Sequence, residues 1–168
     1  MVQILLLNGR HNRKDFDCGA VELNLWLVRM ARQHLKRRLA ITYVAASSAT
    51  SPTILGYYTI SLAELRAHEA SWRWRQRLPL RIPAFRIGRL AVASHYQRAG
   101  LGRLLLADAF TRIERLAAEI GGVGVIVDAK PSALAFYQHY GFEQLADHPT
   151  QLFLPLYTIT DLRQQEDN

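Results

Sequence analysis

Leu90-Ala91-Val92-Ala93-Ser94-His95-Tyr96-Gln97-Arg98-Ala99-Gly100-Leu101-Gly102-Arg103 is the stretch that decides the fold, because an apolar strand there hands over to a helix through a glycine-containing loop. Glycine at 100 and 102 permits positive φ and lets main-chain amides approach a ligand with no Cβ in the way. Amides at a helix start, here near Arg103, lack helical partners and carry the positive end of the dipole, so a pyrophosphate suits them. Arg98 and Arg103 add cations beside the same loop. Taken alone, Gln97-Arg98-Ala99-Gly100-Leu101-Gly102 fits a plain glycine turn before a helix equally well. Neither a GxxxxGK loop nor a GxGxxG loop occurs anywhere in the chain, so those nucleotide sites are set aside.

Working outward, the helix opened by this loop carries Leu105, Ala109, Ile113, Leu116, Ala117 and Ile120 on its inner side, and Gly121-Gly122 end it. Val123 to Val127 reads as a buried strand, Pro131 starts a short helix that Gly141 stops, and Leu152 to Leu156 reads as a last strand. Upstream, a short apolar strand at the N-terminus is followed by turn chemistry over Asp15 to Gly19. A helix then places Leu23, Trp26, Leu27, Met30 and Ala31 on one stripe, with Arg29, Gln33, Lys36 and Arg37 opposite. Ile41 to Ala46 and Ile54 to Ser61 form two antiparallel strands joined by the turn-forming run Ser47 to Pro52, and Arg86 to Val92 is a further strand. Seven arginines, against the single acid Glu69, lie between Arg66 and Arg89, the least regular part of the chain. The order of elements predicts an α/β fold, a mixed sheet with helices on its faces. It forms one domain over 1–160, with a polar tail at 161–168.

A chain of 168 residues can bury roughly 70% of the surface its unfolded form exposes, so it needs no covalent staple. No apolar run approaches the roughly 18 residues of a membrane span, and the N-terminus lacks the layout of a secretory signal. The single cysteine, Cys18, cannot form an internal disulfide and has no partner at metal-ligand spacing. It reads as a buried structural thiol in a reducing, cytoplasmic setting, with no metal site. The formal charge of +7 favours a polyanionic partner or ligand.

With Ala135-Phe136-Tyr137-Gln138-His139-Tyr140-Gly141-Phe142 downstream of the loop, the sequence resembles the GNAT superfamily of N-acetyltransferases. Gln97, Gly100 and Gly102 match its Q/R-x-x-G-x-G/A loop, while Phe136, Tyr137, Gly141 and Phe142 match its late FY-x-x-x-GF pattern. More narrowly, Phe16-Asp17-Cys18-Gly19 with Leu23-Asn24, Gly56-Tyr57-Tyr58-Thr59, Gly88-Arg89-Leu90-Ala91-Val92, Val127-Asp128-Ala129-Lys130 and Leu152-Phe153-Leu154-Pro155 resemble the toxin branch of that superfamily. Lys130 stands where the wider superfamily has asparagine and is ordinary in this branch, whereas Ala93 stands where an Asp often follows the strand. The resemblance spans nearly the whole chain.

That resemblance implies a GNAT-like, mostly antiparallel sheet and acetyl-coenzyme A as donor. It also implies transfer to the α-amino group of aminoacyl-tRNA, a block of translation, a ribbon-helix-helix antitoxin and a homodimer. Cofactor contacts carried over from it fall on Leu90, Ala91, Val92, Gln97, Arg98, Ala99, Gly100, Leu101, Gly102, Arg103, Lys130 and Phe136. Tyr137 inherits the role of stabilising and protonating the departing thiolate.

No general base stands out, since Glu64, His68 and His95 each read as solvent-facing. An α-amine with a pKa of roughly 8 needs one less than a lysine near 10.4 does. Trp72-Arg73-Trp74-Arg75, with Arg77, alternates cations and aromatics as a grip for phosphates and unpaired bases does, and equally as a solvated face over packed tryptophans does. Lys36 and Arg37 pose the same choice on the first helix. Two other functions fit the same residues: acetylation of a small amine or protein N-terminus, and non-catalytic binding of RNA by a basic module.

Overall fold

The computed structural model describes residues 1–66, 79–146 and 148–156. Its elements are β1 (Gln3–Leu6), α1 (Val21–Arg29), α2 (Ala31–Lys36), β2 (Ile41–Ala46), β3 (Gly56–Arg66), β4 (Arg81–Val92), α3 (Leu101–Ile120), β5 (Gly124–Asp128), α4 (Leu134–His139), β6 (Glu143–Leu145) and β7 (His148–Pro155), with 3-10 turns at Ser94–Tyr96 and Pro131–Ala133. The seven strands are ordered β1-β2-β3-β4-β5-β7-β6. β4 and β5 run parallel, whereas the β1/β2, β2/β3, β5/β7 and β6/β7 pairs are antiparallel, giving the mixed, mostly antiparallel α/β sheet expected. Contacts group the chain into two compact units, Met1–Ser61 with Gly88–Thr111 and Leu62–Ile87 with Arg112–Asn168.

In the first unit the β2/β3 hairpin pairs Ile41 with Ile60 and Ala45 with Gly56. Leu7, Phe16, Trp26, Leu27, Ala31, Val44, Ile54, Tyr57 and Ala91 form its apolar core. Tyr57 organises that core: it stacks on Trp26 at 6.2 Å, takes the edge of Phe16 at 5.4 Å, and donates its hydroxyl proton to Leu23 O at 2.7 Å. Arg89 lies over Trp26, its guanidinium carbon 4.1 Å from the ring centre.

The single helix expected from the Leu23-to-Ala31 stripe is two helices meeting at Met30. Met30 N donates to Trp26 O and His34 N to Met30 O on either side of the break, and at the break the Val28 carbonyl accepts Arg13 Nη1 at 2.7 Å. The bend keeps Trp26, Leu27 and Ala31 buried and turns Met30 outward. Arg38, at φ 58°, closes α2 in the left-handed conformation, with Leu39 N reaching back to His34 O.

In the second unit Leu65, Ile82, Ala84, Ile126, Leu145 and Phe153 form the core. β4 starts five residues earlier than expected, at Arg81, because Arg-Ile-Pro-Ala alternates exposed and buried positions. Arg86 pairs with Asp128 across the parallel β4/β5 ladder. β6, which forms a hairpin with β7, is too short to show a period in sequence.

Helix α3 buries Leu105, Leu106, Ala109 and Ile113, yet Leu116 and Ile120, expected inside, are exposed. A 20-residue helix is about 30 Å long, and its last turns outrun the apolar layer that covers the first three.

Close approach fixes Gly56. A Cβ there would lie 2.9 Å from Ala91 O and 3.0 Å from a Leu105 methyl. Gly56→Ala should therefore lower unfolding stability by about 1–3 kcal/mol, the range for overpacking a tight core, as measured by urea denaturation.

Candidate cofactor and acetyl-transfer site

The parallel register between β4 and β5 runs from Phe85↔Val125 to Ile87↔Val127. β4 itself continues through Val92, so Gly88 to Val92 extend past the end of that ladder. This is where Leu90, Ala91 and Val92 lie. Ala91 is buried in the core, and Ala93 N donates to Leu55 O at 2.8 Å, tying down the end of the strand.

The chain then turns through Ser94–Tyr96 into the expected loop. Gly100 adopts φ 86°, as its sequence position predicts, and a Cβ on it would meet no atom within 4 Å. Arg98 also takes a left-handed φ, 61°, a conformation costly for a residue with a Cβ. Gly102 lies in the first turn of α3, so it is not the second conformational hinge that the pattern predicts. The helical ladder begins with Leu104 N donating to Gly100 O at 3.1 Å. The amides of Leu101 and Gly102 therefore precede the ladder and lie at the positive end of the helix. Arg98, Ala99 and Arg103 are exposed around this corner.

Gln97, expected to contact the cofactor, is also a tie between the loop and the rest of its unit. Its Nε2 donates to Cys18 O and to Val92 O, each at 2.9 Å, so both amide protons are directed at protein carbonyls. The other side of this contact is the Asp17-Cys18-Gly19 turn. Asp17 Oδ1 accepts Gly19 N and Asn24 Nδ2, each at 2.9 Å, while Asn24 Oδ1 accepts Cys18 N at 2.9 Å. The Gly19 amide, chiefly, and then the Asn24 amide hold the Asp17 carboxyl below the usual carboxylate range. Cys18 is half-buried, less enclosed than expected, with Sγ 3.6 Å from Ala20 O.

In the second unit, Lys130 precedes the Pro131–Ala133 turn and is exposed, and its carbonyl accepts Ala133 N at 2.8 Å. Tyr137 is the buried residue of α4, its ring edge-on to Phe136 at 5.1 Å and to Phe142 at 5.4 Å. Burial pushes the phenol above its ordinary value. Phe136 is half-buried and also meets Tyr140 at 5.2 Å.

Of the other candidates, Glu64 is exposed and lies 3.5 Å from Arg81, and His95 is exposed on the 3-10 turn. Lys36 and Arg37 are exposed at the C-terminal end of α2, where cations also suit the helix dipole. Arg73, Arg75 and Arg77, with Trp72, Trp74 and His68, lie outside the described residues.

Comparison with known proteins adds to this geometry. Residues 73–152 match the family described as an acetyltransferase (GNAT) domain. A tRNA-acetylating toxin of Mycobacterium tuberculosis is 32% identical over 127 residues, 72% of this chain and 76% of that protein. The chain belongs to the GNAT acetyltransferases.

As a GNAT transferase it is also similar to a protein of Sinorhizobium fredii named probable toxin TacT, at 29% identity over 92% of this chain and 90% of that one. The solved structure of AtaT complexed with acetyl-methionyl-tRNAfMet matches it with a TM-score of 0.89 at 26% identity, covering 97% of this chain and 99% of that one. A mutant AtaT toxin bound to acetyl-CoA and the C-terminus of the antitoxin AtaR matches with a TM-score of 0.80 at 26% identity, covering 96% and 98%.

The glycine loop and the strand before it lie where the sequence pattern puts them, and Tyr137 lies on the short helix expected after Pro131. The sequence did not show the hydrogen bonds of Asp17, Asn24 and Ser94, although Asp17 and Asn24 lie in a stretch quoted above for its resemblance and in an Asp-x-Gly turn before an N-terminal helix. Because Gly100 is fixed by torsion, Gly100→Val should raise the Kd for acetyl-CoA at least about tenfold, given a strain of roughly 1–3 kcal/mol at such positions. Gly100→Ala should fall between, as read by calorimetric titration.

Proposed function

We propose that this GNAT protein transfers an acetyl group from acetyl-CoA to the α-amino group of aminoacyl-tRNA, so that the charged tRNA can no longer serve translation. The observation that carries the reading is the corner at Gly100, where the first amides of α3 and the overrunning end of β4 meet, in a chain whose relatives include tRNA-acetylating toxins. AtaT, solved with an acetylated aminoacyl-tRNA, supports the choice of acceptor.

The pieces divide the work. The amides of Leu101 and Gly102, with Arg98, Ala99, Gly100 and Arg103 around them, take the pyrophosphate. The main chain of Leu90, Ala91 and Val92 takes the pantetheine arm and the thioester carbonyl. Lys130 and Phe136 add further cofactor contacts. Acetyl-CoA supplies the activated thioester, and the residues around it need to orient it and manage one proton. Tyr137 holds that proton on its hydroxyl, because burial keeps the phenol neutral through physiological pH. An appreciable fraction of the acceptor, about a tenth at pH 7, arrives as a neutral amine, since an α-amine has a pKa of roughly 8, so no committed base is required. Lys36, Arg37, Arg73, Arg75 and Arg77 supply cations for the tRNA backbone.

The same reading makes 1–160 one transferase domain, places the protein in the cytoplasm with its substrate, and pairs it with a second copy of itself. It also gives the protein a cognate antitoxin of ribbon-helix-helix type. The mutant AtaT structure with acetyl-CoA and the AtaR C-terminus supports an antitoxin partner.

Purified protein with radiolabelled acetyl-CoA should label the aminoacyl group of at least one charged tRNA. Label appearing only on small amines, or salt-sensitive RNA binding with no transfer, would overturn the reading. Tyr137→Phe should lower kcat by about a hundredfold or more while the Kd for acetyl-CoA stays within twofold. The pH profile should rise as the acceptor amine loses its proton. Because burial moves the Tyr137 phenol upward, it should show no alkaline decline below pH ~10, the ordinary phenol value.

A further inference from the structure

We propose that Asp17 and Asn24 are positioning residues for acetyl-CoA: they set the pyrophosphate loop by presenting two backbone carbonyls that hold Ser94 and Gln97. The inference rests on the function proposed above. It concerns how the loop gets its shape, and every link in it lies within the first compact unit.

The chain of contacts can be followed atom by atom. Asp17 closes a turn on itself by accepting Gly19 N, and Asn24, one helical turn into α1, locks that turn from the outside by donating to Asp17 Oδ1 and accepting Cys18 N. With its amides and carboxylate so engaged, the turn faces the loop with carbonyls. Asp17 O accepts Ser94 N at 2.9 Å and Ser94 Oγ at 3.2 Å. Cys18 O accepts Gln97 Nε2 at 2.9 Å, and the same nitrogen reaches Val92 O.

Gln97 is thus tied both to the strand that precedes the loop and to a segment 79 residues away in sequence. The next residue, Arg98, is held at φ 61°, which an arginine adopts only where its surroundings impose it. Gly100 follows at φ 86°, and α3 begins at Leu101. A loop with two departures from ordinary backbone conformations within three residues needs an external template. The Asp17-Asn24 turn is the template these contacts supply.

This assigns to Gln97 a role through its two N–H groups, and that role has a specific signature. Gln97 is exposed, so its variants fold. Gln97→Glu keeps the size and loses both donors, whereas Gln97→Arg keeps donors. Isothermal titration with acetyl-CoA and steady-state kinetics with charged tRNA should show Gln97→Glu and Asn24→Ala each raising Kd and KM for acetyl-CoA about tenfold, since Gln97→Glu sets a carboxylate against two carbonyls where two donors stood and Asn24→Ala removes a hydrogen bond to a carboxylate. kcat and KM for tRNA should stay within twofold, and Gln97→Arg should keep most of the affinity.

The double variant should be about as weak as either single one, because both cut the same chain of contacts. Folded Gln97→Glu and Asn24→Ala proteins with wild-type affinity would overturn the inference, as would a fully additive double variant. Wild-type protein that binds no acetyl-CoA would instead remove the function on which the inference rests.

Discussion

The first turn of α3 depends on a corner that only glycine can make comfortably. Helix starts concentrate amides that have no carbonyl behind them, and they attract phosphate wherever they are exposed. What distinguishes this one is its placement directly after a strand that continues past the end of its parallel ladder. Main chain that would otherwise be spent on sheet pairing is brought into the same compact unit as the helix start, and both are anchored by the packing around Tyr57, Trp26 and Ala91.

The proposed function assigns chemistry and binding to different parts of the chain for a physical reason. Holding a diphosphate needs fixed dipoles and cations at a well-hydrated edge, which the loop and its exposed arginines offer. Keeping a phenol protonated needs the opposite surroundings, and Tyr137 finds them among Phe136 and Phe142.

Much of this was legible in the sequence, because the legible parts are governed by local rules. Ile41 to Ala46 and the Gly121-Gly122 stop of α3 follow from alternation and from torsional preference, and the structure places them as read. The failures share a cause, which is that tertiary context sets their limits. Nothing local tells Leu116 or Ile120 that the covering layer ends before them, or Met30 that the stripe must bend to keep Trp26 and Ala31 inside. Arginine density around Arg81 obscured a regular alternation beneath it. Gln97 was legible as part of a motif but not as a clamp, because its partners at Cys18 and Val92 become visible only once the chain is folded.

Gly56 and Gly100 differ in kind, and the difference governs which changes elsewhere could compensate for their loss. At Gly56 the obstacle is other atoms, so trimming the Leu105 side chain would relieve part of the crowding, although the Ala91 carbonyl would remain. At Gly100 the neighbourhood is already empty, and handedness alone excludes other residues. No amount of room made around Gly100 can act as a second-site suppressor; only a change in loop length that lets the chain turn with another torsion could restore the corner.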